Sequence, residues 1–585
     1  MVLFLCVISF DSFSVAAHSA RQAPASPQEN SAQTPSNQQP PSLTKPASVA
    51  SPSPAQSRSD SPLLEAIALY RRGDFAGAIA KYEEVLQQHA KSPDAWAGIV
   101  RCYLKQKDVE HAAQAAEKGL AESDSAQVRA AHAEVLFRQG RIAEAESEWV
   151  KIINSGYPEA RAYLGVARVR DAIAMYKSER ALLNKAHELN PNDPDIQDAW
   201  VGTLSRAERI KYLQDMLAGE NNWSADERED ARNYLEFLTA RTKQKSSPCR
   251  LVSNVSTTET PLLRLLRDPE HLRGYGLPVV FNGHKSSLML DTGASGIVIK
   301  RGLAEKAGIS KVSSTKILGI GNKGRRNAFI GVADSIRIGE LEFQDCLVEV
   351  TESHSVGDED GLVGADIFSD FLVEIDFPNE KLKLNQLPKR PGEGEQKPSL
   401  KEEDDDSDEG GAADTEKDVN SAGANTASKT AAPAPAGSGP QDRYIAPEMQ
   451  NYTRVYRFGH DLLVPTSIGN VPQKLFLLDT GSTTNFISPA AAREVTKVHD
   501  EGDVIVKGIS GRVDQVFTAN KATLQFGRLR QENQDMTAFD TKPISDGIGT
   551  EVSGFLGFTT LRFLDIKIDY RDALVDFEYD RNRRH

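Results

Sequence analysis

The feature that most constrains this chain is an apolar run that leads directly into Asp-Thr-Gly and occurs twice. Residues 288–290 (Leu-Met-Leu) precede Asp291, and residues 476–478 (Phe-Leu-Leu) precede Asp479, 188 positions later. Such a run suits a strand buried on both faces, which carries the aspartate into an interior. The glycine then allows a sharp turn and the close approach of a second chain segment. Two copies with the same preceding pattern indicate a duplicated structural unit.

The residues that follow each Asp-Thr-Gly repeat as well. A glycine-bounded turn begins 28 residues after Asp291 and 29 residues after Asp479, and an apolar element between two glycines begins 70 and 75 residues after them. Each copy closes with an alternating strand, so the repeated unit is an all-β domain of about 130 residues. The turns are Gly319-Ile320-Gly321 and Gly508-Ile509-Ser510-Gly511, and the later elements are residues 361–364 (Gly-Leu-Val-Gly) and 554–557 (Gly-Phe-Leu-Gly).

The region before the two β units has a helical pattern with an internal repeat. Similar triplets at 73–75, 107–109 and 140–142 are spaced by 34 and 33 residues, and each is followed by an alanine, Ala78, Ala112 or Ala145. This period resembles the tetratricopeptide repeat and predicts a helical solenoid over residues 61–245, capped by helices around 196–219 and 224–243. Such a surface could bind a substrate or a partner protein, or the array could be a spacer or a stabilising arm.

Composition bounds the remaining functions. The net charge is −14, and basic residues are not concentrated anywhere, so a nucleic-acid partner is disfavoured. Cys6, Cys102, Cys249 and Cys346 are scattered without a metal-binding spacing. We therefore expect isolated thiols, neither a disulfide framework nor a zinc site, and no metal or other cofactor.

Three segments are expected to lie outside the folded domains. Residues 1–20 combine a short apolar core with small residues, which is typical of a secretory signal and too short to span a membrane. This pattern predicts export to the periplasm or the medium, with no transmembrane segment in the mature chain; without a real signal the protein would be cytoplasmic. Residues 21–60 and the acidic, Ala-Pro-rich residues 388–443 are predicted to be disordered linkers.

The two β units, placed at 248–387 and 444–581, resemble retropepsin-like aspartic protease domains, which are half-enzymes that pair to build one active site. The resemblance rests on the two Asp-Thr-Gly turns and the two later apolar-apolar-Gly elements. It implies two all-β domains, each a closed β-barrel, with Asp291 and Asp479 as the catalytic residues. By the same analogy, Gly293 and Gly481 complete the turns and Thr292 and Thr480 interlock beneath the carboxylates.

The resemblance also assigns supporting roles. Ser482 would hydrogen-bond Asp479, whereas Ala294 offers Asp291 no such bond, so Asp291 is expected to be the harder of the two to ionise. The glycine-bounded turns would lie on flap hairpins that bind an extended substrate strand. These substrate-binding candidates are Gly319, Ile320, Gly321, Gly508, Ile509, Ser510 and Gly511.

The leading hypothesis is an aspartic endopeptidase that acts on peptides or proteins through a shared proton between Asp291 and Asp479. One alternative is a non-catalytic peptide-binding scaffold built on decayed protease domains. Another is a protease whose halves pair with those of a second chain, because the long linker leaves pairing within or between chains open.

Overall fold

The structure is a computed structural model that describes residues 2–3, 7–9, 61–219, 223–241, 249–351, 359–391, 442–500 and 504–579. The linker predicted at 21–60 lies outside the described residues, as do nearly all of the signal predicted at 1–20 and of the linker predicted at 388–443. The first described elements are the short strands β1 (Val2–Leu3) and β2 (Val7–Ser9). Within the described residues, no helix is both long and apolar enough to cross a membrane.

The helical region forms an array of antiparallel helix pairs, and the repeated triplets are the tight turns within these pairs. Gly73, Lys107 and Gly140 adopt positive φ, and the side chains of Asp74 and Asp108 accept hydrogen bonds from the first turn of the following helix. The array contains α1 (Pro62–Arg71), α2 (Phe75–Gln88), α3 (Pro93–Lys105), α4 (Val109–Glu122), α5 (Ala126–Arg138), α6 (Ile142–Asn154), α7 (Ala160–Ala172), α8 (Tyr176–Leu189), α9 (Pro194–Val201), α10 (Arg206–Ala218) and α11 (Ala225–Arg241).

Small residues lie where the repeat pattern predicts close helix packing, since Ala78, Ala112 and Ala145 are fully buried. The capping helices differ from the expectation at one point. The segment 196–219 forms two helices, because α9 ends at Val201 with Gly202 as its C-cap and Ser205 then starts α10 with a capping box to Glu208.

A network of buried charged side chains connects the first and last repeats of the array. The Tyr70 hydroxyl on α1 donates to Asp195 at the start of α9, 2.7 Å away. Lys105 and Arg161 each contact the same carboxylate at 2.6 Å. Because these groups are shielded from water, each must keep its partner, and the network ties α1, α3 and α7 to the start of α9.

The first β half begins after the array and contains a closed barrel. The ring runs β6-β7-β12-β8-β11-β10 and closes through pairing of β10 with β6. The half contains β3 (Arg250–Leu251), β4 (Thr258–Pro261), β5 (Leu263–Asp268), β6 (His271–Phe281), β7 (His284–Asp291), β8 (Ile297–Lys300), α12 (Arg301–Lys306), β9 (Lys311–Gly319), β10 (Arg326–Ile338), β11 (Leu341–Thr351), β12 (Gly361–Gly364), β13 (Phe371–Asp376) and β14 (Lys381–Gln386).

The second half repeats the barrel with the ring β17-β18-β25-β19-β24-β23, closed by pairing of β23 with β17. It contains β15 (Thr453–Arg454), β16 (Tyr456–Phe458), β17 (Asp461–Ile468), β18 (Lys474–Leu478), β19 (Phe486–Ile487), α13 (Pro489–Arg493), β20 (Val498–Asp500), β21 (Ile505–Gly508), β22 (Gly511–Arg512), β23 (Val516–Phe526), β24 (Leu529–Phe539), α14 (Lys542–Ile548), β25 (Gly554–Leu556), α15 (Phe558–Leu561), β26 (Asp565–Asp569) and β27 (Leu574–Glu578).

One sheet joins the two halves of the same chain. Its order is β15-β27-β26-β13-β14-β4, and the central pairing is between β13 of the first half and β26 of the second. Val373 lies opposite Ile568 and Ile375 opposite Ile566, all fully buried. The halves therefore pair within one chain in this structure, through main-chain hydrogen bonds as well as apolar burial.

The cysteine expectation was wrong at one pair. Cys249 and Cys346 form a disulfide that ties the start of the first half to β11, while Cys102 is a buried free thiol in α3. The two bonded cysteines are 97 residues apart. Sequence spacing could not reveal this contact, because it depends on the pairing of β3 with β11.

Candidate active site

The two Asp-Thr-Gly turns lie at equivalent ends of buried strands. β7 pairs in parallel with β12, so that Asp291 lies opposite Gly364, and β18 pairs in parallel with β25 in the same way. The later apolar-Gly elements of the sequence are therefore the strands beside each aspartate. Both Asp291 and Asp479 are almost completely buried.

The two turns interlock through their threonines. The Thr292 hydroxyl donates to the Leu478 carbonyl at 2.8 Å and accepts from the Thr480 amide at 3.1 Å. The Thr480 hydroxyl makes the reciprocal pair of bonds, to the Leu290 carbonyl at 3.0 Å and from the Thr292 amide at 3.0 Å. Four buried hydrogen bonds thus fix the relative position of the two loops, which requires a hydroxyl residue at both positions.

The Asp291 and Asp479 carboxyl groups lie next to each other above this interlock, close enough that each shifts the ionisation of the other. The Asp291 carboxylate accepts from the Gly293 amide at 2.9 Å and also from the Gly481 amide of the opposite loop. A Cβ atom at position 481 would lie only 2.3 Å from the Asp291 Oδ2 atom, so this contact needs glycine. The geometry brings together Asp291, Gly293, Asp479 and Gly481 as expected.

The electrostatics of the pair follow from burial and mutual contact. Burial raises the pKa of Asp291 to about 6, and burial together with the Asp291 charge raises the pKa of Asp479 well above its usual value. Two carboxyl groups in contact cannot both ionise cheaply, so they hold one proton between them. Both pKa values are raised, and the larger rise, on Asp479, is consistent with Asp479 as the protonated member and Asp291 as the base, the reverse of the expected order.

Ser482 also acts differently from the expectation. Its backbone amide, not its hydroxyl, donates to Asp479 Oδ1 at 2.8 Å, and the hydroxyl donates to the Thr484 carbonyl at 2.7 Å. An alanine could supply the same amide bond, so the exchange of Ser482 for Ala294 between the halves does not decide which aspartate ionises.

Two hairpins cover the carboxylates. The first flap consists of β9, β10 and the connecting residues 320–325, and the second flap consists of β21, β22 and the connecting Ile509 and Ser510. The Ser510 amide donates to the Ile320 carbonyl at 3.1 Å, and the Ser510 hydroxyl accepts from the Gly319 amide at 3.1 Å. A Cβ at Gly321 would lie 2.4 Å from the Ser510 backbone, so glycine allows the two tips to meet.

All seven flap candidates therefore lie together. Gly508 and Gly511 pair across the second hairpin. Ile509 is buried in one apolar cluster with Met289, Ile317 and Leu362, which places it over the floor of the first half. The two flaps close against each other above the aspartates.

Sequence reasoning missed three polar side chains behind the first Asp-Thr-Gly loop, the partly buried Asp366 and the buried His460 and Asp461. Asp366 accepts from the Gly296 amide at 3.0 Å and 3.1 Å and so anchors the end of the loop. The ring of His460 hydrogen-bonds the Gly293 backbone, and its Nε2 atom lies 3.3 Å from Asp461 Oδ1. The sequence signal for Asp366 was its position two residues after Gly364, the glycine that closes the apolar element. No sequence pattern singled out His460 or Asp461.

The surroundings of Asp366, His460 and Asp461 shift the pKa values of all three side chains. Burial raises the pKa of Asp366 to about 6, and burial with the nearby Asp291 and Asp366 charges raises that of Asp461 well above its usual value. Burial and the Arg457 charge lower the pKa of His460 to about 4. The pocket behind Asp291 therefore favours the neutral forms of His460 and Asp461 at neutral pH.

In the described part of the chain, one acidic group has the spacing of metal ligands, and it lies away from this site. Glu374, Asp376 and Asp565 meet in the sheet that joins the halves. The Lys383 ammonium lies 2.6 Å from Glu374 and 2.8 Å from Asp376, so it supplies a countercharge there.

A fold of two pseudo-equivalent barrels with one aspartate loop from each defines a two-lobed protein with a single site between the lobes. The family model described as aspartyl protease matches residues 277–367 and again residues 464–560, and the tetratricopeptide repeat model matches residues 69–135. The chain thus combines tetratricopeptide repeats with two tandem retropepsin-like aspartic protease domains, and these domains indicate a protease-like function.

Two individual proteins show partial similarity. The UBA domain-containing protein Mud1 of Schizosaccharomyces pombe is 28% identical over 109 residues, which are 18% of this chain and 32% of that protein. The chain therefore spans about a third of the length of that relative. A retropepsin-like aspartic protease from Rickettsia conorii is 23% identical; the match covers 23% of this chain and 95% of that one, with a TM-score of 0.16.

Proposed function

We propose that the protein is an aspartic endopeptidase in which Asp291 and Asp479 act as one catalytic pair. The observation that carries the proposal is the interlock of the two Asp-Thr-Gly loops, which holds both carboxyl groups in contact under closed flaps. A substrate carbonyl placed between the aspartates would meet both a base and an acid. No covalent intermediate is required.

The expected chemistry follows from the protonation order. Ionised Asp291 takes a proton from a water molecule while the water oxygen bonds to the peptide carbonyl carbon, and protonated Asp479 gives its proton to the carbonyl oxygen. The tetrahedral intermediate then loses its C–N bond, the leaving nitrogen takes a proton from Asp291, and Asp479 regains one from a hydroxyl. The products are a free carboxyl and a free amine.

The flaps support an extended peptide as the substrate. β2 pairs antiparallel with β9, and β1 pairs parallel with β21, so each flap has an edge that accepts an added strand; removal of the signal on export would leave both edges to the substrate. Edges that accept added strands bind peptides through main-chain hydrogen bonds, largely independent of side-chain identity. This arrangement favours unfolded or extended segments of proteins as substrates.

The test is cleavage of a mixed peptide library by the purified protein between about pH 3 and 8. Asp291→Asn and Asp479→Asn each keep the size of the side chain and remove the carboxyl group. We expect either substitution to reduce cleavage at least about 100-fold. Two half-active variants would indicate separate active sites, and peptide binding without any cleavage would support the scaffold alternative.

We also propose that the chain is exported. The disulfide between Cys249 and Cys346 supports an oxidising compartment, since such bonds are rare where thiols are kept reduced. Fractionation of expressing cells, with the thiol state of both cysteines read by mass spectrometry, tests this. Reduced cysteines in a cytoplasmic fraction would contradict it.

A protein partner on the repeats is the last part of the proposal. Repeats of this class suggest protein interaction, and the described array already contacts the two protease halves. Hydrogen exchange of the whole chain with and without a captured binding protein would locate such a surface. Protection confined to the protease halves would reject a partner site on α1–α11.

A further inference from the structure

The last helix of the repeat array lies against the first flap. α11 packs on β9, the strand that leads to the flap tip. Both nitrogens at the end of the Arg325 guanidinium donate to Asp230, at 2.8 Å and 2.6 Å, and Lys316 donates to Glu229 at 2.6 Å. These contacts hold both strands of the hairpin, because Lys316 lies on β9 and Arg325 immediately precedes β10.

The ion pair between Arg325 and Asp230 is better shielded from water than an ordinary surface ion pair. Its side chains are only 16% and 12% exposed, and the contact is bidentate. A shielded pair of this kind is expensive to break from one side, because the remaining charge keeps its desolvation cost without a partner. α11 therefore biases the first flap towards the position seen here.

In that position the flap is closed. The Lys323 amide donates to the Ser510 carbonyl at 2.8 Å, and the Asn322 amide donates to the Arg512 carbonyl at 3.0 Å. Asp514 donates its amide to the Asn322 side chain at 3.1 Å. A peptide can reach the aspartates only when these tip contacts separate, and the first flap cannot move far while α11 holds both of its strands.

We propose that α11 is part of the substrate gate, with Asp230 and Glu229 as positioning residues for the first flap. The repeat array then sets how often the cleft opens and how firmly it holds a bound peptide, in addition to any partner it carries. The flap-holding step stands on the contacts alone, whereas its effect on turnover rests on the proposed endopeptidase function.

The test compares Asp230→Ala with Asp215→Ala in the full chain. Asp215 lies on the neighbouring α10 and forms an exposed pair with Lys211, so its loss removes one carboxylate from the array without touching the flap. The first readout is hydrogen exchange of the amides in residues 316–326, with α3–α7 as the internal reference for folding. We expect exchange at least about 10-fold faster in Asp230→Ala alone.

The second readout is the steady-state kinetics of peptide cleavage, which distinguishes an effect on substrate binding from an effect on the chemical step. Once the flap is released, KM for peptides should rise several-fold while kcat changes less, because bound peptide escapes more readily. Exchanging the two charges, Asp230→Arg with Arg325→Asp, should restore both readouts. Unchanged exchange in 316–326 overturns the proposal even if the protein cleaves nothing, whereas faster exchange without cleavage upholds the gate and rejects only the endopeptidase.

Discussion

The two protease halves have the same barrel but are attached to the repeat array in different ways. The second half shares an apolar core with α5–α7, in which Phe137 and Trp149 pack in one cluster with Leu475 and Phe555. The Phe137 carbonyl also accepts from Thr550 at 2.6 Å. The first half contributes one residue to this cluster, Ile320 at its flap tip, and its flap is also held by the ion pairs of α11.

This difference separates a permanent attachment from a breakable one. Removing a side chain from a densely packed apolar interface costs several kcal/mol of folding stability, about 2–5 kcal/mol for a large residue. The array and the second half should therefore behave as one body. Ion pairs at the edge of a hairpin can break and reform as the flap moves. The array thus has a fixed end on the second half and a controlling end on the first.

The largest expected effect concerns the fixed end. Phe137→Ala removes a buried ring that packs against Phe458 of the second half, with centroids 6.1 Å apart. We expect a loss of about 3–5 kcal/mol in the free energy of unfolding. Denaturant unfolding followed by array and barrel signals should shift together. A shift of the array signal alone would mean that the two parts are not one body. Asp230→Ala, at the contact of the array with the first half, is the matched variant.

A smaller effect, on catalysis, concerns the contact between the halves. Gly481→Ala would place a Cβ 2.3 Å from Asp291 Oδ2 and force the carboxyl groups apart. We expect about a 100-fold loss of kcat/KM, since a misplacement near 1 Å has that order of cost. Gly302→Ala in α12, where a Cβ meets nothing within 4 Å, is the control. Equal activity of the two variants would contradict the paired site.

The sequence predicts much of this, because the decisive signals are local and repeated. Two apolar runs before Asp-Thr-Gly identify the buried strands, and the triplet spacing identifies the repeat turns at Gly73, Lys107 and Gly140. Contacts between distant segments are another matter. The disulfide of Cys249, the loop anchor Asp366 and the hold of α11 on the flap depend on how separate elements dock, and no spacing along one chain encodes that.

The expected ionisation order of the two aspartates left out the main chain. Comparing Ala294 with Ser482 by side chain alone suggested that Asp291 lacks a hydrogen bond. In the fold, backbone amides stabilise both carboxylates, and the amide of Gly481 reaches across from the other half. Side-chain differences between duplicated halves therefore say little about charge when the main chain supplies the donors.

The smallest expected effect is on the pH dependence of folding stability, and it distinguishes the two aspartates. Both have a folded-state pKa above the unfolded value, near 4, so the folded state keeps protons that the unfolded state releases. Their favourable contribution to stability is present below pH 4 and is lost as pH rises through about 6 for Asp291 and higher for Asp479. At pH 7 both aspartates therefore destabilise the fold.

Replacing either aspartate by asparagine should consequently raise stability while it removes activity. We expect a gain of about 1–3 kcal/mol at pH 7, larger for Asp479→Asn than for Asp291→Asn, and almost none at pH 4. Thermal unfolding of the three proteins at both pH values measures this. A larger gain from Asp291→Asn would reverse the assignment, making Asp479 the base and Asp291 the acid. Destabilisation at pH 7 would mean that the carboxylates are needed to hold the loops together.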